Sequence, residues 1–228
     1  MKEVKLLGVW SSVYCHRVIW ALKLKGVEYD YTEEDIANKS DELIRHNPVY
    51  QRIPVFIHNG KPIAESIIIL EYIDEVWPQN PLLSADPYEK AIARFWAEFL
   101  EDKILQMMQS PTFYSYFRAA GEAQEKLAKE AKELLHIIED KGLGKKNFFG
   151  GNQIGYADIC LGWIACWLEL MQEAAGIKLL ESDEFPKLLA WSKRFKQVPE
   201  INESLPDNDK MLTYFRGLRE RFTAAPAP

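Results

Sequence analysis

The sequence predicts two dissimilar parts: an α+β domain built on a small mixed sheet, followed by an all-α domain. Three observations predict it. Within the first eighty residues, short β-branched runs alternate with helical patterns. A proline-marked stretch, with Pro78, Pro81 and Pro87, then interrupts the chain. Beyond it every apolar pattern has helical spacing, as in Ala91, Ile92, Phe95, Trp96, Phe99 and Leu100.

Taken in order, Val4–Val9 reads as a buried strand. Tyr14 to Lys25 reads as a helix, with Val18, Leu22 and Lys25 spaced by four and three and Gly26 as its stop. Val27–Tyr31 is a second strand, parallel to the first because a helix joins them. An acidic loop leads to a helix from Ser40 to about His46, stopped by Asn47-Pro48. Next come a strand opening at Ile53-Pro54, a turn at Asn59-Gly60, a second short strand, and a helix from Ser66 to about Val76. The order β-α-β-α-β-β-α fits a thioredoxin-like sheet covered by helices. It does not fit the longer alternation of a dinucleotide-binding fold, and the sequence has no G-x-G-x-x-G. The expected division is residues 1–78, a linker over 79–88, and a helical domain over 89–228.

In the second part, Leu127, Leu134, Leu135 and Ile138 mark one amphipathic face. Residues 156–171 read as one buried helix, Leu188, Leu189, Trp191 and Phe195 as another, and Asp209–Phe222 as the last. Asp158 stands three residues after Gly155 at the start of the buried helix. Gly155 takes the cap position, where glycine is a tolerable residue.

Composition narrows the function. The net charge is −6 with no basic stripe, which argues against nucleic acid. The most apolar stretch, Ile159–Leu168, is too short to span a bilayer, and no signal-peptide pattern is present. Cys15, Cys160 and Cys166 form no C-x-x-C, and four scattered histidines show no metal-ligand spacing. A soluble protein of a reducing compartment is expected, placed in the cytosol, with no metal. Seven Trp, ten Tyr and eleven Phe leave room for an aromatic-lined pocket.

The most informative segment is Gln51–Ser66. Ser66 can cap the helix it opens, and a helix start favours an anion. Extended backbone at Ile53-Pro54 leaves main-chain groups free to pair with a peptide. A ligand that is both peptide and carboxylate would suit both halves.

With Ile53-Pro54 and Glu65-Ser66 in place, the chain resembles a cytosolic glutathione transferase over essentially its whole length, and the plant tau class in particular. The resemblance rests on Val4–Trp10, Ile57–Ile63, Tyr72–Trp77, and Asp86-Pro87-Tyr88 leading to Ala91–Trp96. It implies an enzyme that conjugates glutathione to apolar or aromatic electrophiles, with glutathione as co-substrate, no cofactor and a homodimeric assembly. A secondary glutathione peroxidase activity is compatible with it. In the tau pattern a serine in Trp-x-Ser-x-aromatic-x-x-Arg donates to the thiolate. In Trp10-Ser11-Ser12-Val13-Tyr14-Cys15-His16-Arg17 that serine is Ser12, with Ser11 as runner-up. The resemblance further implies that Ser66 and Glu65 hold the γ-glutamyl end and that Ile53 pairs its backbone with the cysteinyl part, helped by a cis bond to Pro54. Lys39 and Arg52 would meet the glycyl carboxylate. The acceptor pocket is expected between the domains, with Trp10 and Tyr14 as floor and Leu105, Gln109, Trp167 and Tyr214 as walls.

Proline is usual where Ser11 and Val13 stand, so this segment departs from the pattern. Two other readings follow from it. One is a non-catalytic carrier of flavonoids or other aromatic ligands. The other is a glutathione-dependent thiol transferase working through Cys15, although packing as a small hydrophobe is the plainer role for that residue. His16 is expected at the surface.

Overall fold

The computed structural model describes residues 3–101 and 115–224. They form two compact units. One comprises the chain up to Leu83 together with Pro199–Ser204. The other comprises Ser84–Val198 and the chain from Leu205.

The first unit holds β1 (Val4–Gly8), α1 (Val13–Leu24), β2 (Asp30–Glu33), α2 (Asp41–His46), β3 (Val55–His58), β4 (Lys61–Ala64), α3 (Ser66–Val76) and the short α10 (Pro199–Asn202). The sheet order is β2-β1-β3-β4. The β1–β2 pair is parallel and the β1–β3 and β3–β4 pairs antiparallel, which is the mixed sheet of a thioredoxin-like domain. β1 and β3 are nearly continuous apolar runs because helices cover the sheet. Leu7, Leu43, Val55 and Ile57 pack as one buried cluster. Asn59 and Gly60 turn the β3–β4 hairpin with φ of 50° and 75°, the backbone of a type I′ turn.

β2 begins three residues later than expected. At the end of α1 the Gly26 N–H donates to Lys23 O and the Val27 N–H to Leu22 O. This paired closure of the last turn holds Val27 against the helix, so the strand can start only beyond it. Below that turn lies a buried ion pair. Lys25 Nζ donates to Asp74 Oδ1 at 2.6 Å, and the same carboxylate accepts from the Leu82 and Leu83 N–H groups. The chain leaving α3 is thereby anchored.

The second unit contains α4 (Pro87–Leu100), α5 (Ser115–Arg118), α6 (Gly121–Ile137), α7 (Tyr156–Cys166), α8 (Leu168–Ala175), α9 (Pro186–Gln197) and α11 (Asn208–Ala224). α4 starts inside the expected linker. Pro87 is its first residue, and Asp86 caps it by accepting from the Glu89 N–H at 2.9 Å. On α6 the inward stripe runs Ala128, Ala131, Leu135 and on to Ile138, so two alanines carry part of the face that the leucines mark in the sequence. The helix expected over 156–171 is interrupted at Trp167, where φ is −108° and ψ −33°. Apolar spacing continues through both halves, so nothing in the sequence marks that break.

Asp158 is completely buried at the start of α7. Its Oδ1 accepts from the Phe149 N–H and the Trp191 indole N–H, each at 2.8 Å. Its Oδ2 accepts from the Gly150 and Gly155 N–H groups at 3.1 and 3.0 Å. The carboxylate thus satisfies the glycine cap's own N–H and ties the preceding loop and α9 to the helix start.

Candidate active site

Strand register gathers the sequence-predicted residues of the first unit. Gly8 pairs with Glu33, Leu7 with Val55, and Val55 with Ala64, so these positions share one end of the sheet. From that end leave the turn to Ser12, the Ile53–Pro54 bond before β3, the Glu65–Ser66 step after β4, and the loop carrying Lys39.

Ser12 is the N-cap of α1, with φ −83° and ψ 120°. Its Oγ accepts from the Cys15 N–H at 3.3 Å. A hydroxyl that uses its oxygen as a cap keeps its proton for another acceptor, here at the positive end of a twelve-residue helix. Ser11 is the second central residue of the turn that the Ser12 N–H closes on Val9 O at 3.0 Å.

Cys15 is fully buried and accepts from the Val9 N–H at 3.4 Å. Burial pushes its thiol up to about 11. It is therefore a neutral thiol packed under the helix start, without the depressed pKa that a reactive cysteine needs. Native protein held at pH 7.5 with iodoacetamide should leave Cys15 unmodified on peptide mapping, while the urea-unfolded chain should react within minutes.

His16, expected at the surface, is buried. Its Nδ1–H donates to Ser12 O at 3.0 Å and its ring lies 5.8 Å from that of Trp20. The physical reason is the return of Pro199–Ser204 to the first unit, where α10 covers a face of α1 that would otherwise be exposed. Burial lowers the His16 pKa and keeps the ring neutral.

The step into α3 also differs from expectation. Glu65, not Ser66, is the N-cap. It has φ 70° and no side-chain capping bond. A non-glycine residue held there costs about 1–3 kcal/mol, and such strain concentrates where function requires it. Ser66 is the first helical residue. It is buried, and its Oγ accepts from Arg17 Nη1 at 3.2 Å. Arg17 is 1% exposed, and its guanidinium also lies over the Tyr14 ring at 5.2 Å from the centroid. In the sequence pattern Arg17 stands five residues after Ser12 and marks nothing more. That it reaches Ser66 from the second turn of α1 carries no signal in the sequence.

The Ile53–Pro54 bond is cis. Pro54 is buried and Ile53 half-buried, and no hydrogen bond to another described residue involves the Ile53 backbone. Lys39 and Arg52 are exposed and form no ion pair among the described residues. Trp10 and Tyr14 are half-buried. Trp167, expected as a pocket wall, is 1% exposed and belongs to the core at the α7–α8 break. Tyr214 is exposed on α11. Leu105 and Gln109 lie outside the described residues. Among those described, no three His, Cys, Asp or Glu side chains gather as a metal site.

A thioredoxin-like domain with a capping serine, a cis-proline backbone and a second helix start at one sheet end, followed by a helical domain, is the architecture of a glutathione transferase. Comparison with known proteins agrees. A family model described as "Glutathione S-transferase, N-terminal domain" matches residues 2–75, and one described as "Glutathione S-transferase, C-terminal domain" matches 95–199. A glutathione transferase of Zea mays is 48% identical over 98% of this chain and 99% of its own. The tau class glutathione S-transferase of mango superposes with a TM-score of 0.85 at 40% identity, over 95% of this chain and 98% of that one. A rice enzyme solved with glutathione superposes with a TM-score of 0.88 at 32% identity, over 98% of this chain and 99% of that one. The chain belongs to the glutathione transferase family, and its relatives place it with the plant tau class.

Proposed function

We propose that this enzyme binds glutathione at the sheet end described above, holds its sulfur as a thiolate by the Ser12 hydroxyl, and transfers that sulfur to an apolar, aromatic electrophile. The observation that carries the reading is the geometry of Ser12, an N-cap whose oxygen is occupied by the Cys15 N–H and whose proton is left to donate. A free thiol with a pKa of about 8.5 is only a few per cent ionised at neutral pH. A donated hydrogen bond and a helix N-terminus both favour the charged form. Catalysis then needs little beyond this activation and proximity.

The remaining contacts follow the same geometry. Ser66, its hydroxyl oxygen fixed from below by Arg17, takes the γ-glutamyl carboxylate with its O–H and its backbone N–H at the start of α3, and Glu65 takes the ammonium. The Ile53 backbone pairs with the cysteinyl residue beside Pro54, and Lys39 and Arg52 face the glycyl carboxylate. Trp10 and Tyr14, both half-buried, line the acceptor side. A cytosolic homodimer is the assembly proposed, and sedimentation equilibrium at micromolar concentration reads it directly.

Chromogenic aryl-halide conjugation tests the binding assignments. Ser66→Ala should raise the KM for glutathione about tenfold with kcat changed much less, since a hydrogen bond to a charged group contributes about 1.5–3 kcal/mol. An unchanged KM would remove Ser66 from the binding site. The thiol-transferase alternative requires Cys15 to ionise, and its burial and raised pKa oppose that.

A further inference from the structure

The turn that delivers Ser12 has an unusual support. Its central residues are Trp10 and Ser11, and neither is proline or glycine, so no residue in it presets the backbone. Its own closure is the single bond from the Ser12 N–H to Val9 O. Two side chains from elsewhere hold it. Cys15 Sγ accepts from the Val9 N–H at 3.4 Å. Glu33, the last residue of β2, accepts from the Trp10 N–H with both carboxylate oxygens, each at 3.1 Å. The Tyr31 hydroxyl donates to the same carboxylate at 2.9 Å and fixes its orientation.

The strand beneath is packed to match. Gly8 pairs with Glu33 in the sheet, and the Glu34 N–H donates to Gly8 O at 2.8 Å. A Cβ on Gly8 would come within 3.0 Å of Cys15 Sγ and 3.1 Å of the Tyr31 ring, so the chain leaves β1 close against Cys15 and against the tyrosine that orients Glu33. The Glu33 carboxylate itself is exposed. Water could replace it at the Trp10 N–H with little effect on folding, but water would not hold the turn in one place.

We propose that Glu33 is a positioning residue for the catalytic serine: by clamping the Trp10 N–H with both oxygens, it sets the turn that brings the Ser12 hydroxyl to the glutathione sulfur. The assignment rests on the reading of Ser12 as thiolate donor. Glu33 touches neither the thiol nor the acceptor and acts only through the turn. Its charge works the other way, since a carboxylate near the site disfavours a second anion. Positioning and charge can therefore be separated by substitution. Glutamine keeps an acceptor for the Trp10 N–H and removes the charge, whereas alanine removes both.

The test is the pH profile of kcat/KM for aryl-halide conjugation, with melting temperatures, for wild type, Ser12→Ala, Glu33→Ala and Glu33→Gln. Glu33→Ala should lose about 3- to 10-fold at pH 6.5, with its apparent thiol pKa moved up and its Tm within about 2 °C of wild type. Glu33→Gln should recover most of that loss, with an apparent pKa at or below the wild-type value. A wild-type profile for Glu33→Ala would overturn the assignment. So would a Glu33→Gln as impaired as Glu33→Ala, or a loss that follows Tm alone. If Ser12→Ala is unimpaired, the serine reading fails first. If Ser12→Ala is impaired and Glu33→Ala is not, only the role of Glu33 is lost.

Discussion

Ser12→Ala should lower kcat/KM for glutathione conjugation at pH 6.5 by about 10- to 100-fold. The magnitude follows from the one bond removed. A hydrogen bond to a charged acceptor contributes about 1.5–3 kcal/mol, and 1.36 kcal/mol is one unit of pKa. Without the donor, the apparent pKa of the bound thiol rises toward that of free glutathione, and the thiolate fraction at pH 6.5 falls in proportion. The deficit must therefore shrink as pH rises and nearly vanish at about pH 9–10, where the thiol ionises unaided. Ser12→Ala also removes the cap on α1, at a cost of about 1 kcal/mol. Ser12→Gly separates the two effects, since glycine costs the cap only a few tenths of a kcal/mol but carries no hydroxyl. A pH-independent loss, or a Ser12→Gly as active as wild type, would show that Ser12 acts through helix stability and not on sulfur.

The second large effect concerns folding. Asp158→Asn should destabilise the helical domain by about 3–5 kcal/mol, the cost of leaving buried donors unmatched at a buried charged site. Both oxygens of Asp158 are occupied by two N–H donors each. An asparagine amide must point its NH2 at one of those pairs, whichever way it is turned. For a chain of this size the loss corresponds to roughly 6–20 °C in Tm. Glutathione binding by molecules still folded should be nearly unchanged, because Asp158 lies in the second unit.

The pH dependence of that difference has a definite sign. Burial raises the Asp158 pKa to about 6, against an unfolded value of about 3.9. The folded chain therefore binds the proton more tightly. The stabilisation tied to this group is fully present below about pH 3.9 and is lost as pH rises through about 6. Asparagine does not titrate, so the gap in Tm between wild type and Asp158→Asn should be wider at pH 5 than at pH 7. Equal gaps would mean that the four donors hold the carboxylate ionised throughout.

Much of the fold was legible because local rules and tertiary structure agree. Asn59-Gly60 dictates its hairpin, Ser40 its helix start, and the helix between β1 and β2 their parallel pairing. The site was less legible. Ser66 has the chemistry of a cap, yet it sits inside α3 because Glu65 adopts φ 70° and takes the cap position. Local propensity would not predict that backbone. Trp167 has the apolar spacing of a continuous helix, and only packing reveals the break there.

The sequence by itself determined the two-part architecture, the strand order that a βαβ unit and a hairpin allow, and the serine, proline and helix-start positions on which the proposed glutathione site rests. These follow from backbone stereochemistry and from periodicity over a few residues. Tertiary structure alone decided what those residues touch. It buried His16 by bringing 199–204 back onto α1. It set Arg17 beneath Ser66, 49 positions away, and closed Glu33 over the Trp10 N–H across the end of the sheet. Such contacts join distant segments and depend on register and layer packing, which no short-range pattern encodes.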